Sequence, residues 1–107
     1  MPTVVLRVGH ENPTIEIKGQ LDSCSQTNLL PLKWVPLLEA EGCKFNEVPP
    51  EAVGWLDGRP QINLTQAVDI VLKVVGCNEE TTTIKVFVCP ADFDELLIGW
   101  NTMVRCK

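Results

Sequence analysis

Several stretches of the chain alternate between apolar and polar residues, which is the pattern of a half-buried β-strand. Residues 3–8 and 14–21 form two such stretches, and residues 9–13 between them are rich in turn formers. In the second stretch the apolar side chains fall on one face, and Glu16 and Lys18 fall on the other. We therefore predict that the chain begins with a β-hairpin.

The same alternation returns in the second half of the chain. Residues 61–75 predict a long strand that bends near residues 65–67, and residues 81–88 and 95–98 predict two more strands. Between the two halves, residues 46–60 have the least regular pattern, and their Pro-Pro pair interrupts any regular element.

Helical signals are few and short. Pro36 at a first helical position and Gly42 just past the end predict a helix of about two turns. Residues 100–107 could form a second short helix that closes the chain. The sequence therefore predicts an all-β fold with one or two short helices, in a closed, barrel-like arrangement.

Composition limits both size and partners. A length of 107 residues suits one domain, 1–107, with one core. The net charge of −5 argues against a nucleic-acid partner, because neutralising phosphates requires a basic surface. No apolar run has the length of a membrane span, so we expect no membrane partner.

The cysteines indicate where the protein resides. There are five of them, an odd number, and no two have the spacing of a metal-binding pair. With His10 as the one histidine, we expect no metal site and no cofactor. We interpret most of these cysteines as reduced, buried residues of an intracellular and cytoplasmic protein, because no signal segment opens the sequence.

Asp22 stands at a position that needs an explanation. It ends an apolar strand and is followed by small polar residues, where a carboxylate is costly unless it is hydrogen-bonded or used. One interpretation is a strand-ending turn, since Asp and Ser form local hydrogen bonds there. The other is a functional acid.

Two short motifs favour the functional interpretation. Leu21-Asp22-Ser23-Cys24-Ser25-Gln26, and later Leu96-Leu97-Ile98-Gly99-Trp100-Asn101, resemble the paired motifs of the retropepsin family of aspartic proteases. The first motif is also similar to protease-like domains of retrotransposon polyproteins. Cys24 stands where the family has Gly, and Gln26 and Trp100 stand where retroviral relatives place a charged pair.

The resemblance implies a homodimer in which each subunit supplies Asp22 as a catalytic residue. Ser23 would link the two acid loops across the dimer axis, and Leu97, Ile98 and Gly99 would brace each loop. The flap of the family, a hairpin that covers bound peptide, would correspond to Gly54, Trp55, Leu56, Asp57 and Gly58. Independently, Asp57-Gly58 between apolar residues predicts a hairpin turn, which could also be an ordinary surface hairpin.

The substitution at Cys24 separates two functions. The preferred hypothesis is a retropepsin-like homodimer that has lost catalysis and acts as a dimerisation or protein-interaction module, binding a peptide or protein ligand. The alternative is an active aspartic endopeptidase that cleaves extended peptides, as in retroelement polyproteins. A small β-domain unrelated to proteases is a third interpretation.

Overall fold

A computed structural model describes residues 3–22, 27–53, 62–76, 80–90 and 93–99, with Asp22 and Val53 described by their backbone alone. These ranges are mostly strand, with one turn of 3-10 helix and one short α-helix. In chain order the elements are β1 Thr3–Gly9, β2 Ile15–Asp22, β3 Leu29–Pro31, the 3-10 turn η1 Leu32–Trp34, α1 Val35–Ala40, β4 Asn46–Val53, β5 Ile62–Val74, β6 Thr82–Cys89 and β7 Leu96–Gly99.

The strands close into a six-stranded barrel. They follow the order β1-β2-β7-β3-β6-β5, and antiparallel pairing of β1 with β5 closes the ring, from Leu6 opposite Val74 to Gly9 opposite Val71. β4 lies outside the ring and pairs with the first half of β5. The prediction of an all-β, barrel-like fold with one or two short helices is confirmed. The second predicted helix, over residues 100–107, lies outside the described residues.

Alternation along the strands fills the barrel. Side chains at every second position of a strand point to the same face, so one face of each strand can be buried. Strand β6 follows this rule, with Ile84, Val86 and Val88 buried and Lys85 exposed. The main core contains Leu6, Val8, Ile17, Leu30, Leu38, Cys43, Val68, Ile70, Leu72, Ile84, Val86, Leu96 and Ile98.

Strand β7 is buried on both faces. Leu96 and Ile98 belong to the main core, whereas Leu97 belongs to a second cluster with Leu29 and Leu64. A strand covered on both faces should read as an uninterrupted apolar run, as this one does. The strand predicted over residues 95–98 is confirmed, with the bounds Leu96–Gly99.

The short helix ends as its sequence predicts. Gly42 has φ of +101°, a conformation that favours glycine. Its N–H donates to the carbonyl of Glu39 at 3.0 Å, and the N–H of Cys43 donates to the carbonyl of Leu38 at 3.0 Å. This pair of bonds is a Schellman cap, which satisfies carbonyls at the helix end. None of the helices within the described ranges is long and apolar enough to cross a membrane.

The expectation that the Pro-Pro pair interrupts any regular element is wrong for residues 46–53. This segment forms β4, although it contains Pro49 and Pro50. The register shifts between Glu47 and Glu51, so the ladder with β5 is interrupted at the prolines. Proline lacks a backbone N–H but is tolerated on an edge strand with such an irregularity, which explains the error.

Strand β5 changes partners near the predicted bend. It is continuous from Ile62 to Val74, but Thr65 and Gln66 are both exposed, and the two residues that follow are both buried. The alternation therefore changes phase here. On the same edge, pairing with β4 ends at Ala67 and pairing with β1 begins beyond it.

Candidate functional site

The end of β2 brings the two sequence motifs together. β2 and β7 are parallel neighbours, with Leu21 opposite Ile98 and Asp22 opposite Gly99. Asp22 is the last residue of β2, and Gly99 is the last residue of β7. Two segments far apart in sequence thus end side by side at one edge of the barrel.

Burial fixes the position of β7 and, through it, the end of β2. β7 lies between β2 and β3, where Leu97 pairs with Leu29. Ile98 is 2% exposed and Leu97 is 9% exposed, on opposite faces of the strand. Displacing β7 would expose apolar surface from both clusters. Each Å² of exposed apolar surface would cost about 25 cal/mol of folding free energy.

Asn28 forms a bridge that the sequence analysis missed. The backbone N–H of Gly99 donates to Asn28 Oδ1 at 2.8 Å, and Asn28 Nδ2 donates to the carbonyl of Lys85 at 3.0 Å. The N–H of Phe87 also donates to the Asn28 carbonyl, at 2.9 Å. Asn28 thus links the start of β3 to β6 and to the residue opposite Asp22. A polar amide directly before the buried Leu29 was the available signal.

Other predicted site residues lie outside the described residues. This holds for Ser23 and Cys24 and for the proposed flap, Gly54 to Gly58. The strands that border the flap segment are antiparallel partners, with Val53 opposite Ile62. The segment therefore connects neighbouring antiparallel strands, and its role as a flap stays a prediction.

An ion pair and a hydrogen bond connect η1 to the segment that precedes β7. Lys33 Nζ lies 2.6 Å from Asp94 Oδ1, and Trp34 Nε1 donates to the Asp94 carbonyl at 3.1 Å. The ion pair is largely exposed, so it contributes at most about 1 kcal/mol. Trp34 is half-buried and packs against the main core.

Two cysteines are buried and reduced. Cys43 and Cys89 form no disulfide, and both belong to the apolar clusters. Burial raises the pKa of the Cys43 thiol, and the nearby Glu41 carboxylate raises this pKa further. Both effects favour the protonated, less reactive thiol. Within the described ranges, no three His, Cys, Asp or Glu side chains are grouped so that they could hold a metal ion.

Comparison with known proteins yields matches in structure. No protein-family model matches the sequence, and no curated protein matches it. The EIAV protease, solved with the inhibitor HBY-793, superposes with a TM-score of 0.67 at 17% identity, covering 97% of this chain and 86% of that one. A foamy viral protease-reverse transcriptase, solved with an RNA/DNA hybrid, superposes with a TM-score of 0.58 at 15% identity.

The second comparison concerns a small part of a larger protein. The match covers 98% of this chain but 12% of the foamy viral chain. At such identities the likenesses concern the fold alone. For the fold, they confirm the resemblance that the two motifs suggested.

Proposed function

Because the chain has a retropepsin-like fold, we propose that it forms a homodimer that serves as a dimerisation and protein-interaction module with its hydrolytic activity lost. One acid per subunit requires two copies, and a two-fold axis is the simplest way to bring them together. The observation that carries the proposal is the site itself: β2 ends at Asp22 opposite Gly99, but the motif continues with Cys24 instead of Gly.

The loss of activity follows from the side chain at position 24. In the family, glycine lets the acid-loop backbones approach the catalytic pair and each other. Cys24 adds a Cβ and a sulfur to this crowded place, and overpacking commonly costs about 1–3 kcal/mol. Catalysis tolerates displaced groups less well than folding does, so activity would be lost before the fold.

The second candidate is an active aspartic endopeptidase, which the support around Asp22 favours. The register of Asp22 with Gly99 and the bond from Gly99 to Asn28 are features that would hold an acid loop in place. Two such carboxyls close together would share one proton. The charged carboxylate would activate water, and the protonated one would polarise the peptide carbonyl.

In either case the remaining residues would keep the roles that the family resemblance implies. Ser23 would join the two loops, Gly54 to Gly58 would cover a bound peptide or protein segment, and Leu97 to Gly99 would brace the acid loop. We further propose that residues 1–107 form one domain and that the protein is intracellular and cytoplasmic, with the buried, reduced Cys43 as support.

A cleavage assay with four proteins tests the proposal. Wild type, Asp22→Asn and Cys24→Gly are incubated with a peptide library between about pH 4 and pH 7, where a shared-proton pair can work. Asp69→Asn is the matched control, because Asp69 is an exposed carboxylate on β5. Sedimentation of each protein gives its oligomeric state.

The outcomes separate the two candidates. The proposal is supported if wild type cleaves no peptide and sediments as a dimer while Cys24→Gly gains cleavage. The dimer would then be an interaction module whose proteolytic activity is lost through Cys24. Cleavage by wild type and Asp69→Asn that vanishes in Asp22→Asn establishes the endopeptidase and overturns the proposal. A wild type that stays monomeric at all concentrations contradicts both candidates.

A further inference from the structure

Asn28 holds β3 and β7 together at the place where β7 ends. Within the described residues, the two strands share the register pair of Leu29 with Leu97. Two residues beyond Leu97, the N–H of Gly99 donates a hydrogen bond to Asn28 Oδ1 at 2.8 Å. The last part of β7 is therefore fixed on this side by a side chain and not by a backbone ladder.

The chemistry of the bridge suits an amide side chain. Oδ1 accepts from Gly99 while Nδ2 donates to the carbonyl of Lys85, so one planar group satisfies a donor on β7 and an acceptor on β6. The bond to Gly99 is partly buried, where a lost partner is costly. An alanine would lose both bonds, whereas an aspartate would retain an acceptor for Gly99 and lose the donor to Lys85.

Through Gly99, the bridge is also connected to β2, the strand that ends at Asp22. Gly99 pairs with Asp22 in the parallel ladder of β2 and β7, and both strands end at this pair. A shift of Gly99 therefore moves the end of β2. We propose that Asn28 is a positioning residue, which holds Gly99 and thereby sets where Asp22 leaves the sheet. Its consequence for the dimer rests on the proposed function.

Amide hydrogen exchange tests the positioning role without any need for activity. Wild type, Asn28→Ala, Asn28→Asp and the control Asn63→Ala are compared, since Asn63 is an exposed asparagine on β5. In Asn28→Ala, exchange of the Gly99 amide should rise about tenfold more than that of amides in β1 and β5, which report global opening. Asn28→Asp should retain most of the protection of Gly99, and the NMR chemical shift of the Asp22 amide should move in Asn28→Ala but not in Asn63→Ala.

A second measurement addresses the dimer. If the two acid loops meet across the dimer axis, sedimentation should show dimerisation weakened about tenfold in Asn28→Ala and unchanged in Asn63→Ala. A monomeric wild type would contradict the proposed dimer but would leave the exchange test of Asn28 intact, so the two failures are distinguishable.

Three results would overturn the positioning role. In the first, the Gly99 amide exchanges in Asn28→Ala as slowly as in Asn63→Ala. In the second, exchange rises equally at all amides while the chemical shift of the Asp22 amide stays unchanged, as expected for a residue that only stabilises the fold. In the third, Asn28→Ala and Asn28→Asp lose the protection of Gly99 equally, which contradicts the bond from Gly99 to Asn28 Oδ1.

Discussion

Two regions of the molecule, which we call the inner seam and the outer arm, differ in burial and in strand pairing. The inner seam consists of β2, β3 and β7, and the outer arm consists of β4 with Ile62–Ala67 of β5. In the seam, β7 is buried on both faces and lies between two strands. In the arm, β4 is mostly exposed and pairs on one side with β5.

The difference shows which part of the fold is determined by packing. The seam combines backbone ladders on both sides of β7, two apolar clusters and the Asn28 bridge, and it ends at Asp22 and Gly99. The arm depends on one interrupted ladder and leads towards the segment proposed as the flap. Under the proposed function, the packing of the seam would hold the end of β2 in place, and the exposed arm would carry the segment that covers a ligand.

The largest expected effect comes from truncation in the seam. Leu96 is fully buried, so Leu96→Ala should lower the free energy of unfolding by about 2–5 kcal/mol. Val48 on β4 is half-buried, and Val48→Ala should cost less than about 1 kcal/mol. Urea denaturation measures both, with Leu32→Ala as the matched control for an exposed leucine, 51% accessible. If Val48→Ala and Leu96→Ala lowered the free energy of unfolding by similar amounts, the distinction between the two regions would be contradicted.

A smaller effect is expected from adding one methyl group to the seam. A Cβ on Gly19 would lie 2.4 Å from Leu6 Cδ1, and Leu6 is itself fully buried. Gly19→Ala should therefore destabilise the protein by about 1–3 kcal/mol through overpacking.

A double-mutant cycle identifies the cause of that loss. If the clash with Leu6 is responsible, Gly19→Ala combined with Leu6→Ala should cost at least about 0.5 kcal/mol less than the sum of the single changes. Additive losses in thermal or urea unfolding would show that the glycine is needed for another reason.

Two strands of the seam, β2 and β7, could be predicted from the sequence because their signals are local and consistent. The alternation through Ile17 and the apolar run ending at Gly99 indicate a half-buried and a fully buried strand, and both exist. Gly42 marks the helix end because its positive φ disfavours other residues. That Asp22 lies beside Gly99 was implied by the family resemblance, since periodicity alone does not determine which strands pair.

The Asn28 bridge and β4 could not be predicted in this way. The bridge joins Asn28 to Gly99 and Lys85, which are distant in sequence, and an asparagine in a polar stretch is also typical of a turn. For β4, Pro49 and Pro50 normally indicate a break. Whether an edge position tolerates them depends on the sheet order, which the segment itself does not encode.

The smallest effect on stability, and a distinct effect on association, is expected at those prolines. Replacing Pro49 and Pro50 by threonine should change the free energy of unfolding by less than about 1 kcal/mol, because they interrupt the ladder with β5. The change supplies two backbone N–H groups to an edge strand, and such edges pair with other chains. Light scattering at rising concentration should therefore show more self-association than wild type, with Thr65→Val on β5 as a control for added β-propensity at an exposed position. Unchanged association would show that the acidic residues and the register shift protect this edge without the prolines, and that the arm is less open to pairing than its exposure suggests.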